Sequence, residues 1–367
     1  MDNNIIQHPR FNRTKNNEFS KALRGRVSHY FKSNNISRNA NANMVIKTIV
    51  MLALFFVPLA ILCTVQIAQA WLVFGLYIVS GLGMAGIGMG VMHDAIHGSY
   101  SKHKRVNTLL GYTFNLIGAN ATIWNIQHNV LHHTYTNIDE SDDDINMPFF
   151  LRFSPHAKHY KLHRFQYIYI WFFYSISTLA WVTAKDYVRL YRYKNKGFLK
   201  SKHQFRNALI SMVTWKFVYF AYAIVIPIII SPLAWWVVLL AFVVMHLLVG
   251  LLVSIVFQIA HIMPSSEFPL PNSEGEIEND WYRHQFDTTT NFSPKNKILF
   301  WLIGGLNYQV EHHILPDVCH IHYKSISTIV ANTAREFGVP YHVKHNLGHA
   351  LADHVKMLKI LGKETKS

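Results

Sequence analysis

Histidine side chains occur in three short clusters whose spacing suits a metal site. The first cluster contains His93 and His97, the second contains His128, His132 and His133, and the third contains Gln309, His312 and His313. Histidines three or four positions apart would lie on one face of a helix. One such run is as often a solvated surface cluster as a metal site. Three runs in one chain favour metal binding.

The type of donor narrows the choice of metal. The three clusters together with His261 contain eight histidines. Neutral imidazole binds iron, zinc, copper or nickel in preference to magnesium or calcium. Eight ligands are too many for one ion, but they suit two ions that keep positions open for a small molecule. Two redox-active irons beside a bilayer would indicate oxygen activation, directed at the unactivated C–H bonds of a hydrocarbon chain.

Long apolar runs must position these clusters. Of the 367 residues, 50% are hydrophobic and only 15% are charged, which predicts a membrane protein. Four runs approach the roughly 20 residues that a helix needs to cross a bilayer. They are Met44 to Val65, Trp71 to Val91, Ile210 to Ile230 and Leu233 to Phe257. The predicted fold is therefore all-α, with four transmembrane helices in two hairpins.

Two weaker apolar runs, Val106 to Trp124 and Phe165 to Ala184, are predicted to be interfacial or re-entrant. Basic residues flank the second of them, with Arg164 before it and Lys185 after it, which places both of its ends in the cytosol. With four spans, all three histidine clusters emerge on the cytosolic side. A cytosolic helical cap would then hold a histidine-rich site for two metal ions.

The ends of the chain are basic. Residues 1–43 form a predicted cytosolic segment without a signal peptide, residues 44–325 the membrane domain, and residues 326–367 a cytosolic tail. Apolar residues recur at helical spacing at Phe19, Leu23, Val27, Tyr30 and Phe31. The amphipathic helix that they predict would lie on an anionic leaflet or pack on the protein itself. The net charge of +15 fits positive-inside topology and lipid headgroups better than nucleic acid.

The three clusters resemble the histidine boxes of the membrane fatty acid desaturases. The boxes here read His-Asp-Ala-Ile-His, His-Asn-Val-Leu-His-His and Gln-Val-Glu-His-His. The third box begins with glutamine, and in this it resembles the third box of the front-end branch of that family. The resemblance covers roughly residues 45 to 325, including His97-Gly98-Ser99-Tyr100-Ser101 and the stretch from Asn307 to Pro316.

The resemblance implies a ligand set for two iron ions. Its members are His93, His97, His128, His132, His133, His261, His312 and His313, with Gln309 as a possible further ligand. Around them, Asp94, Glu311 and Gln258 are predicted to orient a ligand or hold a water molecule. The acidic run from Asp139 to Asp144 is predicted to be a solvated loop, with the alternative that one carboxylate orients a ligating histidine. His284 is predicted to be an ordinary polar residue.

The resemblance also implies the reaction, with dioxygen as co-substrate and two external electrons. Removal of two hydrogens would leave a cis double bond between an existing double bond and the carboxyl end of an acyl chain. The acyl carrier stays open among acyl-coenzyme A, acyl carrier protein and membrane lipid. No His-Pro-Gly-Gly motif of a fused cytochrome is found, so we expect a separate donor, a ferredoxin or a b-type cytochrome. That absence favours a bacterial inner membrane over the endoplasmic reticulum.

Three other functions fit parts of the pattern. A fatty acyl or lipid hydroxylase of the same architecture would differ only in its product. A haem-binding electron carrier would place facing histidines inside two or more spans, whereas these clusters lie outside the predicted spans. A metal transporter would need ionisable ligands near the bilayer midplane, where only His246 is found in the fourth span.

Overall fold

The computed structural model describes residues 9–12, 15 and 17–363, and it is helical throughout most of that length. The all-α fold class predicted from the sequence is therefore confirmed. The chain forms two compact units. Unit 1 comprises Met1–Asn39, Asn125–Ile170 and Val256–Ser367, and unit 2 comprises Ala40–Trp124 and Trp171–Ile255. The three domain boundaries predicted from the sequence remain a prediction.

Five helices in the described part of the chain are long and apolar enough to cross a membrane. They are Ala42–Thr64, Ala70–Ile96, Lys161–Asn195, Lys202–Ile230 and Trp235–His261. Four of them coincide with the four predicted runs, which confirms a membrane protein built on apolar helices. The helix Lys161–Asn195 contains the segment that was predicted to be interfacial, and it is the least apolar of the five, with a mean hydropathy of 1.2. The four-span count consequently remains a prediction.

The first two apolar helices form a closely packed hairpin in unit 2. Ser80 Oγ donates a hydrogen bond of 2.9 Å to the carbonyl oxygen of Phe55 on the neighbouring helix. Gly83 lies against the backbone of Leu54 and Phe55, so closely that a side chain at this position would clash with it. Glycine is therefore required at residue 83 for the two backbones to approach.

Several long helices contain π-helical turns, which are rare and commonly occur at functional sites. These turns are Ile87–Val91, Ile126–His132, Trp181–Lys185 and Ala221–Val225. Ile87–Val91 continues directly into the helix Met92–Ile96, which carries His93. Ile126–His132 contains His128 and His132 themselves. The first and second histidine clusters therefore both follow or occupy a local departure from regular α-helical geometry.

The segment from residue 104 to 125 is broken into the short helices Lys104–Gly111, Thr113–Leu116 and Ala121–Asn125. Gly118 separates the last two and has a φ of +87°, which favours glycine. The ring of Tyr219 packs where a side chain at residue 118 would lie. None of the five apolar helices includes this segment, so its predicted interfacial position stays open.

An ion pair is buried within unit 2. Lys216 Nζ lies 3.0 Å from Asp186 Oδ2, and both side chains are almost fully inaccessible to solvent. Lys216 also donates hydrogen bonds of 2.9, 3.1 and 3.0 Å to the carbonyl oxygens of Gly118, Trp181 and Val182. One ammonium group thus donates to three backbone carbonyls and balances the charge of a carboxylate in an apolar environment.

His246, which the sequence offers as a candidate for a transport site, has ordinary hydrogen-bond partners. Its Nε2 atom lies 2.7 Å from the hydroxyl of Tyr219, and its Nδ1 atom lies 3.1 Å from Thr178 Oγ1. All three side chains are buried in unit 2. The histidine is therefore accounted for by local polar contacts.

The first helix of unit 1 is Asn17–Ser33. Its apolar face packs on the helix Tyr323–Glu336 and adjacent residues in one buried cluster that includes Phe19, Leu23, Val27 and Phe31. Arg26 forms an ion pair of 2.7 Å with Glu336 beside this contact. Of the two positions predicted for the amphipathic helix, packing on the protein itself is the one observed.

Short elements complete unit 1. They are the helices His133–Tyr135, Lys161–Phe165, Trp281–Thr288, Lys297–Leu302, Gln309–Ile314, His320–His322 and Leu347–Leu361. Two parallel strand pairs accompany them, Arg10–Phe11 with Glu276–Ile277 and Thr290–Phe292 with His342–Lys344. The second pair matters for the third histidine cluster, because Asn291 in it binds that cluster's helix.

Candidate metal centre

The first histidine cluster lies in unit 2. The rings of His93 and His97 have centroids 4.8 Å apart, as expected for residues four apart on a helix. Both rings pack edge-on against the indole of Trp124, at 5.6 and 6.1 Å. Gly98, with a φ of +77°, ends this helix directly after His97. The two imidazoles are thus fixed side by side at a helix terminus.

The second cluster lies in unit 1 and is fully buried. The rings of His128 and His132 stack with centroids 5.4 Å apart, and His133 begins the next helical turn. The Nε2 atom of His133 lies 3.2 Å from Nε2 of His128. The π-helical turn therefore directs histidines at spacings of four and five residues into one volume.

The third cluster occupies the short buried helix Gln309–Ile314, also in unit 1. Asn291 Oδ1 accepts a hydrogen bond of 2.8 Å from the backbone N–H of Val310, which holds the first turn. Asn291 Nδ2 donates to one carboxylate oxygen of Glu311 at 2.8 Å, and the hydroxyl of Tyr341 donates to the other at 2.6 Å. The helix is too short to be stable alone, so these contacts determine its position.

Within unit 1, the second and third clusters come together with His261. The side-chain nitrogens of His132, His261 and His313 lie within 4.8 Å of one another, and so do those of His133, His312 and His313. The Nε2 atoms of His133 and His312 are 2.9 Å apart. Five histidines from three separate segments therefore present nitrogens to one buried volume.

Hydrogen bonds to the Nδ1 atoms set the orientation of these rings. Nδ1 of His132 lies 3.1 Å from Asp142 Oδ2, and Nδ1 of His261 lies 3.3 Å from the carbonyl oxygen of Thr288. Each partner accepts the Nδ1 proton, which leaves the Nε2 lone pair available. Within the described residues, the buried Nε2 atoms of His132 and His261 have no hydrogen-bond partner.

This arrangement fits a metal ion. Buried polar atoms without partners are rare, and a cation bound between several imidazole nitrogens would satisfy them together. The Nδ1 contacts to a carboxylate and a carbonyl are the supporting interactions that ligating histidines commonly have. A nitrogen-rich donor set of this kind suits iron, zinc or copper.

Comparison with known proteins identifies the family. A model described as fatty acid desaturase matches residues 69–345. The chain belongs to the fatty acid desaturase family. It is 35% identical over 373 residues to an sn-1 linoleoyl-lipid 6-desaturase of Arthrospira platensis, covering 95% of this chain and 94% of that protein. A protein of the same name from Synechocystis is 31% identical over 353 residues, covering 95% and 97%.

An acyl-lipid (8-3)-desaturase of Physcomitrium patens is 32% identical over 351 residues, covering 95% of this desaturase and 72% of that protein. The membership predicted from the histidine boxes, including the front-end branch, is therefore confirmed. This desaturase is an oxidoreductase that inserts a double bond into a fatty acid. Members of the family use iron, and the histidine clusters of this chain could bind a metal.

The acidic run of the desaturase is only in part the solvated loop that the sequence predicts, since Glu140 is exposed. Asp142 and Asp143 are buried, and Asp142 contacts His132, as the alternative interpretation expected. The backbone N–H groups of Asn137 and Asp144 each donate a hydrogen bond of 2.9 Å to Asp142. These donors compensate for burying the carboxylate, because each satisfies a lone pair that water would otherwise occupy.

Electrostatics at this pair favour positive charge on the imidazole. Burial lowers the pKa of His132, but attraction to Asp142 and Asp144 outweighs burial, and that pKa lies above its ordinary value. For Asp142, burial raises the pKa, and the attraction to His132 only partly offsets this increase. A metal ion bound at Nε2 would supply the positive charge that this environment stabilises.

The other predicted supporting residues have different surroundings. Both carboxylate oxygens of Glu311 are engaged by Asn291 and Tyr341, and burial raises its pKa to about 7. Asp94 is buried, and its carbonyl oxygen accepts a hydrogen bond of 3.0 Å from Ser99 Oγ at the end of the helix. Roles for Glu311 and Asp94 in orienting a ligand remain predictions.

The roles predicted for Gln309 and Gln258 also remain predictions. Gln309 is buried at the start of the third-cluster helix, and its Nε2 atom has no hydrogen-bond partner in the described part of the chain. Gln258 is half-buried near the end of the helix that carries His261. Among the residues that the structure describes, its side chain has no hydrogen-bond partner in the cluster.

Sequence reasoning missed a helix that contacts three of the histidines. The helix Trp281–Thr288 contains Gln285, which binds His313 and His133, and Thr288, which binds His261. Only His284 in this stretch was considered from the sequence. His284 is buried against the ring of Phe11 at 5.0 Å, and burial lowers its pKa to about 4. No sequence motif distinguishes Gln285, because its partners are distant in the chain.

Proposed function

We propose that this desaturase is an oxygen-dependent diiron enzyme that acts on acyl lipids. It would insert a cis double bond between an existing double bond and the carboxyl end of the acyl chain. The observation that carries the proposal is the group of buried imidazoles in unit 1, where one nitrogen from each of His132, His261 and His313 lies within 4.8 Å of the others and the Nδ1 atoms of His132 and His261 are hydrogen-bonded. The names of the two linoleoyl-lipid 6-desaturases and of the (8-3)-desaturase support a lipid-linked, already unsaturated substrate.

The proposed ligands are those of the three boxes together with His261. They are His93, His97, His128, His132, His133, His261, His312 and His313, with Gln309 as a possible further ligand. Two irons held by them would supply, with dioxygen and two electrons, the oxidising power to remove hydrogens from an unactivated carbon chain. The first-box histidines enter this set through the resemblance.

The residues of the chain would bind the metal ions, orient the histidine rings and shield the site from water. Burial of the histidines of the second and third boxes keeps bulk water from the reacting carbons, which limits loss of oxidising equivalents. Asp142 and the Thr288 carbonyl hold the rings of His132 and His261 in the tautomer that leaves Nε2 free for a metal. Fixed ligands determine which acyl carbons come within reach, and hence the position of the double bond.

The proposal includes four membrane spans with a helical cap on the cytosolic side. Basic residues lie at both ends of Lys161–Asn195, which favours placing both ends in the cytosol. Cysteines introduced at the exposed residues Lys158 and Lys200 should then react with an impermeant reagent from the same side of sealed vesicles. Reaction from opposite sides would establish Lys161–Asn195 as a fifth span and overturn this topology.

Electrons are proposed to come from a separate acidic protein, either a ferredoxin or a b-type cytochrome. Lys21, Arg24 and Lys32 project from the exposed face of the helix Asn17–Ser33. This basic surface would attract an acidic donor and accelerate its association. Turnover of the purified enzyme with each reduced donor in turn identifies which one it accepts, and turnover with neither would remove this part of the proposal.

The function is tested by expressing the chain in a host supplied with defined unsaturated fatty acids. We expect a new double bond on the carboxyl side of an existing one, located by mass spectrometry of the lipid fraction. Analysis of intact lipids, acyl-coenzyme A and acyl carrier protein shows where the product first accumulates. Hydroxylated chains in place of a new double bond would transfer the assignment to the hydroxylase alternative. Absence of any product, with no iron in the purified protein, would refute the proposal.

A further inference from the structure

Gln285 connects two of the histidine clusters within unit 1. Its side chain is fully buried on the helix Trp281–Thr288. Oε1 lies 2.8 Å from Nδ1 of His313 in the third cluster. Nε2 donates a hydrogen bond of 3.2 Å to the carbonyl oxygen of His133 in the second cluster. One amide group therefore contacts both clusters, although Gln285 belongs to neither.

The amide also fixes the protonation of the His313 ring. Oε1 can only accept, so the hydrogen bond requires the proton of His313 on Nδ1 and leaves the lone pair on Nε2. Thr136 Oγ1 lies 3.0 Å from the same Oε1 atom and 3.3 Å from Nδ1 of His313, which closes a small polar network. In this tautomer the Nε2 lone pair of His313 is available to a cation, and one side-chain nitrogen from each of His132, His261 and His313 lies within 4.8 Å of the others.

The same helix makes two further contacts with the histidine segments. Trp281 Nε1 donates a hydrogen bond of 3.0 Å to the carbonyl oxygen of His133, beside the bond from Gln285. The carbonyl oxygen of Thr288 accepts from Nδ1 of His261 at 3.3 Å. The helix thus fixes parts of three segments that are distant in sequence, and Gln285 is its central contact.

We propose that Gln285 is a positioning residue of the metal centre, which sets the tautomer of His313 and holds the second box against the third. This inference rests on the metal centre proposed above. A neutral amide suits both tasks, because one end accepts from an imidazole and the other donates to a carbonyl. A hydrocarbon side chain would leave both partners buried without a hydrogen bond, and a carboxylate would retain only the accepting end.

The test compares three variants with the wild-type protein. Gln285→Leu removes both hydrogen bonds, Gln285→Asn retracts the amide by one methylene, and Gln285→Glu retains the acceptor for His313. Gln166→Leu is the matched control, since Gln166 is equally buried in unit 1 and hydrogen-bonds to Arg152 and Leu358. The readouts are bound iron per chain across a series of free ferrous iron concentrations, and the absorption spectrum of the cobalt-substituted protein.

We expect Gln285→Leu to weaken iron binding by about 10- to 100-fold, the range found for partners of ligating histidines. Gln285→Asn should weaken iron binding less, and the iron affinity of Gln285→Glu should stay within about threefold of the wild-type value. The cobalt spectrum should change in the Leu and Asn variants only. Gln166→Leu should retain wild-type iron affinity whatever its effect on thermal stability.

Wild-type affinity and an unchanged cobalt spectrum in Gln285→Leu would overturn the inference, and so would equal losses in Gln285→Leu and Gln166→Leu. If the Leu variant does not fold, the Asn and Glu variants decide, because only a positioning role predicts a loss in Asn that Glu does not show. A wild-type protein that binds no iron in the same titration would instead refute the proposed metal centre itself.

Discussion

Replacing His132 with alanine is expected to abolish double-bond formation and to lower bound iron. His132 is the residue where three features of the site coincide. One of its ring nitrogens lies within 4.8 Å of a nitrogen of His261 and of His313, its ring stacks on that of His128, and its Nδ1 atom binds the buried Asp142. Loss of a ligand should exceed the roughly 10- to 100-fold effect of losing a supporting partner. Product is therefore expected to fall more than about 100-fold.

The experiment uses lipid analysis by mass spectrometry together with iron content of the purified variant. His349→Ala is the control, because His349 is exposed on the helix Leu347–Leu361 and is not among the proposed ligands. The control should match the wild type in product and in iron. Desaturation by the His132→Ala variant at more than a tenth of the wild-type level would exclude His132 as a ligand.

Replacing Lys216 with methionine is expected to destabilise the protein by about 3–5 kcal/mol, the usual result of removing one partner from a buried ion pair. Asp186 would remain buried without its cation, and the carbonyl groups of Gly118, Trp181 and Val182 would lose a donor. The measurement is the free energy of unfolding in mild detergent, titrated with a denaturing detergent.

Two further variants separate loss of the pair from loss of a lysine. Lys202→Met makes the same change at an exposed position at the start of the same helix, and it should leave the unfolding midpoint unchanged. The double variant Lys216→Met/Asp186→Leu removes both charges and should recover much of the stability, because apolar replacements of a buried pair are often well tolerated. A single variant within about 1 kcal/mol of wild type would show that the pair contributes little.

Local sequence patterns predicted the features of this protein that depend on neighbouring residues. Four apolar runs predicted four helices to within a few residues, apart from the longer start of Lys202–Ile230. The spacing of His128 and His132 predicted a shared face, which the stacked rings show. The apolar helices follow from the period of the helix, whereas the histidine pair lies in a π-helical turn that the spacing alone does not predict.

Features that depend on burial and hydrogen bonding in the folded chain were predicted only as alternatives or not at all. Asp142 reads as part of a hydrophilic run, and only the fold shows that backbone N–H groups and His132 bury it. Gln285 has no distinguishing neighbours, since its partners His133 and His313 are 152 and 28 residues away. Burial and hydrogen bonding are properties of the folded chain, and polarity along the sequence indicates them weakly.

The amphipathic helix at the amino terminus shows the same limit. Phe19 and Leu23 predicted an apolar face, but an apolar face suits a lipid surface and a protein surface equally well. Its partner, the helix Tyr323–Glu336, is about 300 residues away, and Val330 in it is fully buried in the shared cluster. A sequence pattern indicates which residues form such a face, but it does not indicate which surface the face contacts.

The π-helical turn Ile87–Val91 bears on how related chains of this family should be aligned. A π-turn accommodates one residue more than the α-helix that it interrupts, so deleting a residue there could restore a regular helix. Every later position would then rotate by about 100° around the axis. His93 and His97 would keep their mutual spacing while facing a different neighbour. Two chains of the family can therefore share the first-box motif and still differ in whether its histidines reach the metal centre. In an alignment, a one-residue gap just before the box would mark that difference.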